Sequence, residues 1–90
     1  MAALSDDEVR KRLAALSGWE HQGREIRRAY AFDGFEAAMA FVNRVAALAE
    51  AMNHHPDILV QYDKVTLALT SHDTGGLTDR DFRLAAKIDE

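Results

Sequence analysis

The sequence contains no cysteine and only one proline, Pro56. The absence of thiols excludes a disulfide framework, a thiolate zinc site and a cysteine nucleophile together. Stability must therefore come from packing, within the chain or between copies of it. No apolar stretch approaches the roughly 20 residues of a membrane-spanning helix. The N-terminal Asp6, Asp7 and Glu8 are unlike the basic and apolar regions of a secretion signal, so the protein reads as cytoplasmic, with no membrane partner. A concentrated basic excess is also missing. Eleven Lys and Arg face fifteen Asp and Glu, for a formal net charge of −4, which argues against an affinity built on nucleic-acid phosphates. Arg24, Arg27 and Arg28 form the one local positive cluster. They can be read as a solvated strand edge or as an anion site.

The residues present are those of a globular protein. Of the 90 residues 48% are hydrophobic and 29% charged, close to ordinary usage. A chain of this size buries roughly two-thirds of its unfolded surface, so one domain spanning residues 1–90 with one core is expected.

Ser5 followed three residues later by Glu8 has the form of a helix-capping box. Val9, Leu13 and Leu16 then mark one apolar stripe, with Gly18 positioned to end the helix. From Trp19 to Phe32 the period changes. Gln22-Gly23 signals a turn, and Ile26, Tyr30 and Phe32 share the parity of one strand face, which predicts a hairpin. Asp33 with Glu36 resembles a second cap, opening a long helix from Phe35 to about Asn53 with no internal glycine or proline. Pro56 keeps His55 out of helical geometry. Two strands follow, with Ile58, Val60 and Tyr62 on one face of the first and Val65, Leu67 and Leu69 in the second, turning near Asp63-Lys64. Gly75-Gly76 closes this hairpin, Thr78 caps a last helix with Asp81 three residues on, and Leu77 can pack on Phe82. The expected fold is α+β, a four-stranded antiparallel sheet with three helices on one face, in the order α-β-β-α-β-β-α.

Three of the four histidines fall at ends of elements. His54 and His55 stand at the corner after the long helix, and His72 follows the last strand. Imidazole gives and takes protons near neutrality, so the cluster points to proton transfer or to metal binding. On a continuous helix Glu50 shares a face with His54, where its carboxylate can orient the ring. Taken singly, each residue also fits a structural role: His54 at a helix C-terminus, His72 at a strand end, Asp81 at a helix N-terminus, and Trp19 and Tyr62 in the core.

Written out, the arrangement is Glu50, three residues, His54-His55-Pro56, Tyr62 after five more, His72 after nine and Asp81 after eight. It resembles the signature of the pterin-4a-carbinolamine dehydratases. The likeness extends through Lys64-Val65, Gly76-Leu77 and Trp19 to nearly the whole chain, with departures at Asn53 and at Asp57-Ile58-Leu59. The resemblance implies dehydration of 4a-hydroxytetrahydropterin to quinonoid dihydropterin, in recycling of the cofactor of aromatic amino-acid hydroxylases, with no metal, no organic cofactor and a pterin as the small-molecule partner. It also implies a homodimer or homotetramer. His54 and His72 would be the general acids and His55 the residue that binds the pterin and accepts a proton. Glu50, Asn53, Pro56, Trp19, Ser71 and Asp81 are then expected to bind substrate or to orient the histidines, with Trp19 in the pocket wall. Two other readings remain open at this point: a histidine-ligated zinc enzyme, and a protein-interaction module of the kind that some animal relatives provide to a homeodomain transcription factor.

Overall fold

The computed structural model describes residues 2–90. The chain runs through α1 (Asp6–Leu13), β1 (Glu20–Gln22), β2 (Glu25–Ala31), α2 (Phe35–Met52), β3 (Asp57–Gln61), β4 (Lys64–Leu69) and α3 (Asp79–Ile88). The order is the predicted one. All strand pairs are antiparallel, and the sheet order is β1-β2-β4-β3, which leaves β3 at one edge.

Local chemistry explains most element boundaries. The Ser5 hydroxyl accepts from the Glu8 amide, satisfying one of the free N–H groups of the first turn. At α3 the full reciprocal box is present, since Thr78 accepts from the helix backbone while Asp81 accepts from the Thr78 amide. Two boundaries differ from expectation. The first helix stops at Leu13 rather than near Gly18, because Ala15 and Leu16 bond to the carbonyls of Arg12 and Leu13 in tighter i→i+3 turns. Gly18 serves the loop instead: its φ is +85° and the Arg28 guanidinium occupies the space a Cβ would need. The second helix has Gly34 as its N-cap, with no side-chain cap bond, so Asp33 stands one position too early to cap it.

The core lies between the sheet and the helices. The row Val65, Leu67 and Leu69 on β4 is fully buried, together with Ile26 of β2, Val9 of α1, Val45 and Ala49 of α2, and Leu84 and Ile88 of α3. Each Val, Leu and Ile side chain in this set contributes roughly 1.5–3 kcal/mol on burial, and these are what hold the helices to one face. The parity of Ile26, Tyr30 and Phe32 is borne out: Ile26 is buried and the other two pack on the core. Tyr62 departs from the face expected of it. The hairpin turn is Tyr62-Asp63, between the paired Gln61 and Lys64, and Tyr62 takes a positive φ of 53° and stands 69% exposed. A turn residue no longer follows the two-residue alternation of the strand.

Candidate active site

The end of α2 determines where the histidine pair points. Asn53 adopts the left-handed conformation, φ 49° and ψ 45°, which asparagine tolerates better than most residues. Its N–H bonds to the Glu50 carbonyl and the His54 N–H reaches back to the Ala49 carbonyl at 3.0 Å, the paired bonds of a Schellman motif. Because the backbone reverses hand at Asn53, His54 leaves the helical face it would otherwise share with Glu50. His54 turns inward and is 7% exposed. Pro56, half-buried, then carries the chain into β3 with His55 outside.

The expected pairing of Glu50 with His54 is therefore corrected. Glu50 instead meets His55, Oε2 to Nε2 at 2.5 Å, in a pair that is mostly exposed. The partner of His54 comes from far along the chain: its Nε2 lies 2.5 Å from Oδ1 of Asp81, which is fully buried at the start of α3. An ionised carboxylate accepts only, so Nε2 carries the proton and donates it to the bond. The other ring nitrogen, Nδ1, has no hydrogen-bond partner among the described residues. No buried side-chain nitrogen or oxygen among the described residues lacks one, so Nδ1 is open to solvent or to a ligand.

The remaining Asp81 oxygen, Oδ2, accepts from the Ser71 hydroxyl at 2.9 Å and from the Thr78 amide at 2.9 Å. Ser71 and Thr78 also bond to each other at 2.8 Å. This closed network joins the start of α3 to the end of β4 beneath His54. A buried carboxylate is costly unless its acceptor sites are satisfied, and here three donors face it. Thr78 is thus part of the site's support as well as a helix cap, a role that capping logic alone did not disclose.

His72 follows Ser71 in a tight loop closed by the bridge between Ser71 and Gly76. The loop is pinned by Arg80, which donates to Asp73 at 2.7 Å. That bond, before any other influence, holds the Asp73 carboxyl below its usual range. The His72 imidazole itself is exposed and lines a cleft of about 290 Å³ with Arg24, Glu25, Thr70 and Gly75, near the lower end for small-molecule sites. His54 and His55 lie outside the wall of this cleft.

Trp19 is not brought to the histidines. It is buried in the core, and its Nε1 donates to Asp89 at 2.7 Å. Asp89 follows the last turn of α3, at the opposite end from Asp81, and also accepts from Tyr30 at 2.6 Å and Arg28 at 3.0 Å. Among the described residues no group of three or more His, Asp or Glu side chains is arranged to hold a metal ion. No helix there is long and apolar enough to cross a membrane.

A family model described as "Pterin 4 alpha carbinolamine dehydratase" matches residues 2–90. The chain belongs to this family. A pterin-4a-carbinolamine dehydratase relative from Roseiflexus sp. (strain RS-1) is 56% identical over 87 residues, covering 97% of this chain and 94% of that protein. One from Thermomicrobium roseum is 51% identical over 90 residues, covering 100% and 97%. Both carry the name "Putative pterin-4-alpha-carbinolamine dehydratase". Among solved structures, a transcriptional coactivator/pterin dehydratase from Brucella melitensis superposes with a TM-score of 0.92 at 31% identity, covering 97% of this chain and 95% of that one. A pterin dehydratase-like protein described as a RuBisCO assembly factor in the alpha-carboxysome reaches 0.68 at 27% identity, covering 80% and 86%.

Proposed function

We propose that this protein dehydrates 4a-hydroxytetrahydropterin to quinonoid dihydropterin by histidine acid–base catalysis. The observation that carries the reading is the buried Asp81 carboxylate holding His54 by Nε2, in a chain that belongs to the dehydratase family. A histidine oriented through one nitrogen presents the other in a fixed direction, as proton transfer requires.

The reaction removes the hydroxyl from C4a and the proton from N5. His54, as the imidazolium, donates its Nδ1 proton to the 4a oxygen from one side of the pterin, or His72 does so from the other. As the C4a–O bond breaks and water leaves, the N5 electron pair forms the C4a=N5 double bond. His55 takes the N5 proton. With its Nε2–H donated to Glu50, neutral His55 presents Nδ1 as the acceptor. One proton enters and one leaves, so the cycle is balanced without a metal or an organic cofactor, and full activity after exhaustive chelation is expected. Glu50, Asp81 and Ser71 act as positioning residues, Pro56 sets the direction of His55, and Asn53 makes the turn that separates the two imidazoles.

In this reading the product re-enters the recycling of the pterin cofactor of aromatic amino-acid hydroxylases, in the cytoplasm. Self-association as a homodimer or homotetramer is supported by Ile58 and Leu59, 36% and 54% exposed on the edge strand β3, since an apolar unpaired edge favours a partner strand. The decisive assay follows an enzymatically generated 4a-hydroxypterin. His55→Ala is expected to slow its dehydration at least about tenfold, the lower part of the general acid–base range. An unchanged rate overturns the assignment.

A protein-interaction role is the second reading, favoured by the same exposed β3 residues and by the coactivator and assembly-factor descriptions of the two similar structures. Partner binding that survives His55→Ala, in a protein without turnover, would favour it.

A further inference from the structure

The three imidazoles are held in unequal ways. His54 is bonded to Asp81 and His55 to Glu50, whereas the His72 ring is exposed and makes no hydrogen bond among the described residues. Its direction depends on the loop that carries it. Ser71 anchors the base of that loop through its hydroxyl bonds to Thr78 and Asp81. Beyond Ser71 the bonds are internal: the Thr74 hydroxyl donates to the Ser71 and Gly76 carbonyls, and the Gly75 amide to the His72 carbonyl at 3.3 Å. They shape the loop without fixing where its tip points.

One side chain reaches the tip from outside. Arg80, the second residue of α3, donates from Nη2 to Oδ1 of Asp73 at 2.7 Å, and Asp73 directly follows His72. The Arg80 backbone N–H and Nε also face the Thr78 hydroxyl, at 3.3 and 3.4 Å, and that hydroxyl is the partner of Ser71. The guanidinium thus spans from the first turn of α3 to the far side of the His72 loop.

The Arg80 and Asp73 side chains are 33% and 66% exposed, and a pair so placed adds little to the stability of a whole fold. A loop tip is different, because its local openings cost far less than global unfolding. One such pair biases a local equilibrium by up to roughly fivefold. A general acid works only within hydrogen-bond reach of the oxygen it protonates, so this bias is felt in the chemistry on the His72 side. We propose that Arg80 is a positioning residue for His72: by tying Asp73 to α3 it holds the imidazole for protonation of the 4a-hydroxyl from that side. It thereby sets the relative rates for the two C4a stereoisomers. The inference rests on the dehydratase reading, in which His54 and His72 serve opposite sides of the pterin.

The test measures kcat and KM for both C4a stereoisomers of one 4a-hydroxytetrahydropterin. The isomer slowed more by His72→Ala is the one protonated from the His72 side. Arg80→Gln is expected to lower kcat for that isomer roughly three- to fivefold, with KM and the other isomer near parental values. Asp73→Asn should have the same effect, the double variant no more than either, and Arg80→Lys should recover part of the loss. In a His72→Ala background Arg80→Gln should change nothing. The ratio between isomers does not depend on how much protein is folded, so a merely structural role leaves it unmoved. Equal losses for both isomers, or a further loss in the His72→Ala background, overturn the inference. If the parent turns over neither isomer, or His72→Ala spares both, the dehydratase reading or the part of His72 in it fails separately. The heteronuclear NOE of the His72 amide then decides the role of Arg80: it should fall in Arg80→Gln and Asp73→Asn, and an unchanged value overturns the inference.

Discussion

His54 and Asp81, 27 residues apart in the chain, meet at 2.5 Å across the end of α2 and the start of α3. The aspartate completes the helix cap with one oxygen and holds the imidazole with the other, so folding of α3 and orientation of His54 depend on a single side chain.

Asp81→Asn preserves the shape and removes the charge. An amide cannot accept on both sides, so either one of the three donors around it is left unpaired in a buried place or His54 is forced into the tautomer that accepts on Nε2. Stability is expected to fall by about 2 kcal/mol, read from urea denaturation, and dehydration by roughly tenfold or more. A variant as stable and active as the parent would show that the buried network supports neither the fold nor His54.

Asn53 separates a conformational role from a chemical one. Asn53→Gly keeps the left-handed turn at little steric cost, so His54 stays in place and kcat/KM remains near the parent value. Asn53→Ala should destabilise by about 1 kcal/mol, the strain of a left-handed residue with a Cβ, and lower activity as well. Loss of activity in Asn53→Gly at parental stability would instead show that the amide touches substrate.

Trp19→Phe removes the indole N–H that donates to Asp89 and part of the packing around it. Denaturation should show a loss of at least about 1 kcal/mol, with kcat/KM near the parent value. A catalytic defect without a stability defect would return Trp19 to the wall of the substrate site.

Tyr30 gives the fold a pH dependence on the alkaline side. Its burial, and then its hydrogen bond to Asp89, hold the phenol well above its ordinary value of 10.0. The folded state thus keeps a proton that the unfolded chain loses. The associated stability is complete below pH 10 and declines as pH rises toward the folded value. Tyr30→Phe should be less stable by about 1 kcal/mol at neutral pH and show a flatter decline above pH 10. Denaturation curves at neutral and alkaline pH make the comparison; equal slopes would rule out the linkage.

The parts of this fold that could be read from sequence are those governed by neighbours in the chain. Ser5 and Thr78 announce helix starts through groups two or three residues away, and the parity of Ile26 and Tyr30 follows from strand geometry. The histidine positions were legible for the same reason, as residues at element ends. The misplacements share a different cause. Asparagine permits the left-handed turn at Asn53 without requiring it, so the helix could be extended on paper until Glu50 faced His54. The bond from Trp19 to Asp89 spans 70 residues, and no local pattern encodes it. Asp81 was visible from its neighbours as a cap, and its role toward the histidines came only from the family resemblance, because His54 belongs to a distant element.

The reversal at Asn53 also bears on substitution. Two identical side chains, adjacent in the chain, are made chemically unlike by one inverted backbone residue: one is enclosed against a sealed carboxylate, the other left in water beside an exposed one. The doublet therefore offers no redundancy. Neither imidazole can stand in for its neighbour, and inserting or deleting a residue between Ala49 and Pro56 would exchange their surroundings while leaving both histidines in the chain.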